Sequence, residues 1–249
     1  MLNRKLLTIA AEQSTPAGRG VSRLDLLRGL PDLPVLSETL LLMELMLQGQ
    51  SVNLTGVSQL ILSDLGAALQ VMRLAGLESS SVASLPRRIE DCVSGLGLDA
   101  CLDAMSKRPV SRSARHSGLL QIWTHAHEIA DLCRSLAEET RGKVSPSDAF
   151  LVGLCHELGE LPAALGWDWP REYASNPDTA GLKLAEAWSL PTCILEYFFD
   201  RQAGHSSSQW VEIVDRAHQL ALAESNREFE TNHPVYEANA VAWLHAVSS

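Results

Sequence analysis

The chain has 249 residues, enough for one large domain or two small ones with a core that needs no covalent staples. Leu and Ala dominate, aromatic residues make up only 5%, and alternating apolar runs are rare, which together point to an all-helical protein. The formal net charge of −10 argues against a general nucleic-acid binder, whose domain would carry a basic balance, and otherwise favours solubility.

Residues 1–22 carry Ser14, Thr15, Pro16, Gly18 and Gly20 and read as a flexible arm. Their opening, with Leu6, Leu7 and Ile9, is too short an apolar run for a signal peptide and is interrupted by Glu12. Organisation begins at Leu30-Pro-Asp-Leu-Pro34, where Asp32 is placed to cap a helix and Pro34 to sit in its first turn. Leu36, Leu40, Met43 and Leu47 recur at helical spacing until Gly49. A second helix is expected over about Thr55 to Leu62, broken at Ser63-Asp64, and a third from Gly66 to Ala75. A Ser-rich loop follows at Ser79 to Ser84. Two short helices, about Ile89 to Val93 and Leu98 to Met105, are divided by Gly95-Leu96-Gly97. Residues 23–110 thus read as an N-terminal sub-bundle of short helices.

The connecting segment contains Lys107, Arg108, Arg112 and Arg115 with no acid. It is either a solvated link or a docking segment for an acidic partner. No aromatic interleaves it, which argues against a single-stranded nucleic-acid site.

Residues 111–249 form the second half. A long helix over about Leu119 to Glu139 has one core stripe, Ile122, Ala126, Ile129, Cys133 and Leu136. At about 100° per residue, His125 edges that stripe and His127 faces solvent. Ser147 is placed to cap the next helix, Asp148 to Leu165, whose apolar residues Phe150, Leu151, Val152, Leu154, Cys155 and Leu158 point in almost every direction. That pattern belongs to a helix buried on all sides. His156 and Glu157 lie inside it, and ionisable groups are costly to bury unless paired or bound to a metal. They are the remains of a site, a working site, or a hydrogen-bonded pair. A loop with Trp167, Trp169, Pro170 and Pro177 precedes helices at about Thr179 to Trp188, Pro191 to Asp200, Ser208 to Ser225 and Pro234 to Val247.

Cys92, Cys101, Cys133, Cys155 and Cys193 are odd in number and show no Cys-x-x-Cys spacing, so a reducing cytoplasm is expected. No stretch approaches the roughly 18 apolar residues that span a bilayer, and no membrane association is expected. His156-Glu-Leu-Gly-Glu160 lacks the second His of the zinc-protease pattern, and no nucleophile elbow, phosphate-binding loop or dinucleotide fingerprint is present.

The order of several short motifs resembles the HDOD family, helical bacterial relatives of the HD phosphohydrolases. The matching stretches are Leu30-Pro-Asp-Leu-Pro34, Ile61-Leu-Ser-Asp64, Ile89 to Gly97, Ile122-Trp-Thr-His125, Phe150 to Gly159, and Ala187-Trp-Ser-Leu-Pro191, which is similar to a family "WGLP". The resemblance implies an all-α multi-helical bundle with an HD-like core, acting in bacterial regulation by binding signalling proteins, often in cyclic-dinucleotide, motility or stress pathways.

Active HD relatives hold one or two metals with a His on the long helix, an adjacent His-Asp pair and a later Asp, which together activate a water. The resemblance places His125, His156 and Glu157 at the first three of these positions. His218 stands where the later Asp is expected, and Asp215 shares its helical face. Asp200 and Arg201 replace histidines that some relatives carry, and Glu160 replaces a Lys beside the substrate phosphate. These departures imply a degenerate site with no metal and no cofactor; if a site survives, its vestigial metal candidates are His125, His156, Glu157, Asp215 and His218. The plain structural alternative makes His125 and His156 core histidines, Glu157 their hydrogen-bonding partner and Glu160 a solvating charge at a helix end. The resulting expectation is a non-catalytic signalling or scaffolding protein. The alternatives are a metal-dependent phosphohydrolase acting on a nucleotide or related phosphate ester, and a cleft that binds a small ligand without turnover.

Overall fold

The structure, a computed structural model, describes residues 33–48, 53–78, 88–107, 109–110, 117–140, 144–167, 173 and 176–231. The N-terminal arm, the Asp32 cap, the Ser79–Ser84 loop, Arg108, Arg112, Arg115 and the Pro234–Val247 helix lie outside these residues. The described chain is all-α. Its first part comprises α1 (Ser37–Leu47), α2 (Leu54–Leu62), α3 (Leu65–Glu78), α4 (Ile89–Leu96) and α5 (Leu98–Ser106). Its second part comprises α6 (Ser117–Glu139), α7 (Pro146–Cys155), a 3-10 turn (Leu158–Glu160), α8 (Leu161–Ala164), α9 (Pro177–Ala187), α10 (Thr192–Gln202) and α11 (Gln209–Thr231). The one departure from helix among the described elements is a parallel pairing of β1 (Val35–Leu36) with β2 (Pro109–Val110), in the register Val35 to Pro109 and Leu36 to Val110.

That pairing displaces the first helix. The expected start at Pro34 is not seen; α1 begins at Ser37, after an extended Leu36 (φ −64°, ψ 132°). Val35 and Leu36 stay extended because their main chain is engaged elsewhere: the Leu36 amide donates to Asp64 Oδ2 at 2.7 Å. Asn53 caps α2 by accepting from the Thr55 amide at 3.1 Å. The break between α4 and α5 falls at Gly97 alone, at φ +82°, while Gly95 and Leu96 remain helical.

Asp64 ties this half to the next. It is fully buried between α2 and α3. Its Oδ1 accepts from the Ala67 amide at 3.2 Å, capping α3, and from the indole Nε1–H of Trp123 on α6 at 2.9 Å. Three donors on three different elements therefore satisfy one carboxylate, the condition under which a buried carboxylate is tolerated. The Gln70 side chain adds a bond from α3 to the Leu33 carbonyl at 3.3 Å.

The cap of α7 is Ser145, which accepts from the Asp148 amide at 3.4 Å, with Pro146 in the first turn; Ser147, expected as the cap, lies inside the helix. Ala149 to Cys155 are all buried, as the all-round apolar pattern predicts. The helix does not reach Leu165. It ends at Cys155, and the 3-10 turn and α8 follow. A continuous helix is barred by Pro162, which has no N–H to offer the carbonyl four residues back and would clash with it. Gly159 also presses main chain on main chain: a Cβ there would lie 1.9 Å from the Pro177 carbonyl oxygen at the head of α9. Upstream, α7 runs against α6, and a Cβ on Gly153 would lie 2.7 Å from Ala130 Cα. Along α6, Ala126, Ile129, Cys133 and Leu136 are buried as expected, Ile122 is half-buried, and Trp123 is buried beside them.

Buried residues from Leu33 to Ala221 form one hydrophobic cluster. Among the described residues no single helix is long and apolar enough to cross a membrane; α2 and α3, apolar together, meet at a 114° bend and lie in the core. Ser189, between α9 and α10, has φ +52°, a left-handed conformation that costs a non-glycine residue about 1–2 kcal/mol.

Two stability outcomes follow from this packing. Asp64→Ala leaves the Leu36 amide and the Trp123 indole buried without an acceptor and is expected to cost about 3 kcal/mol in urea denaturation. Ser189→Gly, which removes the left-handed penalty at some cost in chain entropy, is expected to raise stability by about 0.5–1 kcal/mol in the same measurement.

Candidate metal centre

Three elements deliver three histidines to one place. His125 comes from the edge of the α6 stripe, His156 from the turn that ends α7, and His218 from α11. The ring centroids are 5.3 Å apart for His125 and His156, 5.2 Å for His125 and His218, and 4.9 Å for His156 and His218. One ring nitrogen from each lies within 4.8 Å of the others. The Gly153–Ala130 contact sets the α6–α7 distance that brings the first two together.

His156 is the most constrained member, with its side chain 4% exposed. Its Nδ1 stands 2.6 Å from the Gly153 carbonyl oxygen. A carbonyl can only accept, so Nδ1 carries the proton and Nε2 is the bare, lone-pair nitrogen. That Nε2 is buried and has no hydrogen-bond partner. Ending the helix at Cys155 makes this possible: His156 can fold back onto the carbonyl of the last turn.

Electrostatics oppose protonation of two of the three rings. Burial pushes the His156 imidazolium down to about 3, with His218 and His125 adding repulsion against the Gly153 bond that favours charge. Burial also lowers His218, with His125 adding to it and Asp215 opposing it. Glu157 is raised by burial and, to a lesser extent, by Glu160, against the attraction of His125. Its Oε1 lies 3.7 Å from His125 Nε2 and 3.9 Å from His156 Nε2. Glu157 is thus beside both rings but beyond hydrogen-bonding distance, and the partner of His156 is main chain instead.

The remaining expected residues divide differently. Asp215 turns to Arg201, whose Nη1 lies 3.6 Å from its Oδ1, and the same guanidinium reaches Asp178 at 3.4 Å. Asp200 pairs with His205 at 3.1 Å. Glu160 is exposed at the end of the 3-10 turn and lines a cleft of about 610 Å³ that also takes in His156, Glu157 and His218. His127, expected to face solvent, is half-buried: its ring meets Phe150 edge-on at 5.7 Å, because α7 covers that side of α6. Of the basic segment, Lys107 is described and exposed. His218, which stands where an Asp was expected and was also a vestigial metal candidate, lies with His125 and His156, while the other carboxylate candidate on α11, Asp215, does not join them.

The donor set fits one metal ion: three imidazoles, one of them held in the correct tautomer with its free nitrogen orphaned. The neutral His156 has a consequence for pH. Below about 6.5 the unfolded chain binds a proton that the native state refuses down to about 3. Stability present at neutral pH is therefore expected to fall with acidification by up to about 1.4 kcal/mol per pH unit from this group. Urea midpoints between pH 7 and pH 4 should fall more steeply for the wild type than for His156→Asn.

Comparison with known proteins agrees with this architecture. Two crystal structures of the MmoQ response regulator from Methylococcus capsulatus strain Bath share the fold. One is 21% identical with a TM-score of 0.56, covering 85% of this chain and 90% of that one. The other is 18% identical with a TM-score of 0.61, covering 84% and 92%. A virulence factor of Campylobacter jejuni, cj0248, is 17% identical with a TM-score of 0.50, covering 80% and 81%. No curated protein matches the sequence. The model of the HDOD domain matches residues 33–167, more than half of the chain, which therefore belongs to the HDOD family.

Proposed function

We propose that this chain is a non-catalytic regulatory protein that works in a reducing cytoplasm by binding other signalling proteins. The observation that carries the reading is the charge of its cleft. Glu157, Glu160, Asp178 and Asp215 line it against one guanidinium, Arg201, which is already paired with Asp178 and Asp215. A phosphate ester entering there would meet more carboxylate than cation and would be repelled. Catalysis of phosphate hydrolysis needs the opposite arrangement, with cations placed where negative charge develops.

Other observations are consistent with this reading. Membership of the HDOD family accords with a regulatory role, and one protein of similar fold is named a response regulator. The five cysteines are free and buried, as suits a reducing compartment. Lys107 and the neighbouring Arg108, Arg112 and Arg115 give an otherwise acidic protein a basic segment on which an acidic partner could dock. No cofactor chemistry is required by this role.

Supplied with Mn²⁺, Fe²⁺ or Zn²⁺, the purified protein is expected to hydrolyse p-nitrophenyl phosphate and cyclic dinucleotides no faster than its His125→Ala variant under the same conditions. Turnover that His125→Ala abolishes would overturn the non-catalytic reading.

A further inference from the structure

We propose that His125, His156 and His218 form a binding site for a single divalent ion of the late first transition row, the zinc class, with Glu157 supplying a fourth ligand. This goes beyond the regulatory reading and bears on it: an ion bound here would offset part of the negative charge of the cleft, so binding and turnover are measured separately.

The argument begins with the orphaned nitrogen. His156 Nε2 is buried, aimed into the cluster and without a partner, while its Nδ1–H is held by the Gly153 carbonyl at 2.6 Å. Buried polar atoms in native proteins are satisfied by protein, water or an ion. A main-chain carbonyl on the far nitrogen is the arrangement that orients metal-ligating histidines and fixes the lone pair on the near one. Two further ring nitrogens lie within 4.8 Å, each able to turn a lone pair toward the same point. The Nε2 can only accept, and an ion shared by three imidazole lone pairs would satisfy all three nitrogens at once.

The ligand types choose the metal. Imidazole nitrogen suits zinc, cobalt, nickel and copper, whereas magnesium and calcium demand oxygen cages. Glu157 Oε1 lies 3.7 Å from His125 Nε2 and 3.9 Å from His156 Nε2. Adjacent ligands of a tetrahedral zinc site are about 3.4 Å apart for bonds of about 2.1 Å, so these spacings need little change. A carboxylate also offsets part of the ion's charge. The site is mononuclear because the nearby acid on the same helix, Asp215, is held by Arg201 at 3.6 Å. His156, Glu157 and His218 border the cleft, which gives the ion a way in.

The test uses untagged full-length protein, stripped with a chelator that is then removed, and titrated with Co²⁺ or Zn²⁺ alone. One equivalent of Co²⁺ should bind with the intense visible bands of four-coordinate cobalt, be displaced by Zn²⁺, and resist Mg²⁺. Zn²⁺ should raise the melting temperature. His125→Ala and His218→Ala, changes at half-buried positions checked for folding by circular dichroism, should each weaken Zn²⁺ binding by roughly 100-fold or more, and Glu157→Gln by roughly 10-fold. Absence of binding, or binding unaffected by both histidine variants, would overturn the proposal, leaving His156 Nε2 to water or the ion to adventitious surface sites. Metal bound together with phosphatase turnover would sink the regulatory reading and leave the site standing. No metal and no turnover would do the reverse.

Discussion

The fully buried carboxylate of Asp64 is the constraint on which the rest of the arrangement depends. It cannot sit in the core without donors, and its donors come from β1, α3 and α6. Satisfying one charge therefore fixes how the N-terminal helices sit on the second half. The consequence reaches the candidate site along α6: Trp123, which donates to Asp64, lies two residues before His125. Rotation of α6 that moved His125 away from its partners would also pull the indole off the carboxylate. The structural hydrogen bond and the ligand geometry thus share one helix register.

The second constraint is the early end of α7. A helix continued through His156 would have kept the main-chain hydrogen bonds of that turn within the ladder. Stopping at Cys155 frees the Gly153 carbonyl for the imidazole and turns Glu157 toward both His125 and His156. Beyond it, Gly159 lets the 3-10 turn touch the head of α9, which brings Asp178 and Arg201 to the opposite wall of the cleft. The acidic charge of that wall and the neutral character of His156 have different origins. The first comes from side chains that reach solvent, and the second from exclusion of it.

The all-α class, the long α6 with its core stripe and the all-round burial of α7 were legible because hydrophobic spacing reports burial directly. His125 was placed at the stripe edge for the same reason. What periodicity could not show was where main chain would compete with helix. Val35 and Leu36 look helical in their apolar spacing but are drawn into an extended pairing by β2 and Asp64, both distant in sequence. His156 and Glu157 lie in an apolar run that reads as continuous helix, although Pro162 ahead of it was a readable stop. His127 looked solvent-facing because a single helix does not reveal that Phe150 will lie over it. His218 was a candidate ligand, but its closeness to His125 and His156 depends on how α11 packs, and Ser189 gave no sign that its backbone is left-handed.

The contact between Gly153 and Ala130 bears on how such a site would be recognised in other chains. Neither residue has a polar side chain, yet any side chain at Gly153 would press on the Ala130 main chain, separate α6 from α7 and spread the nitrogens of His125 and His156. The diagnostic pattern is thus a His followed five residues later by a small residue on one helix, together with a Gly three residues before a second His on the next. A search for ligating residues alone would accept chains whose helices stand too far apart. It would also miss that two residues with no chemistry of their own act as the ruler for the cluster.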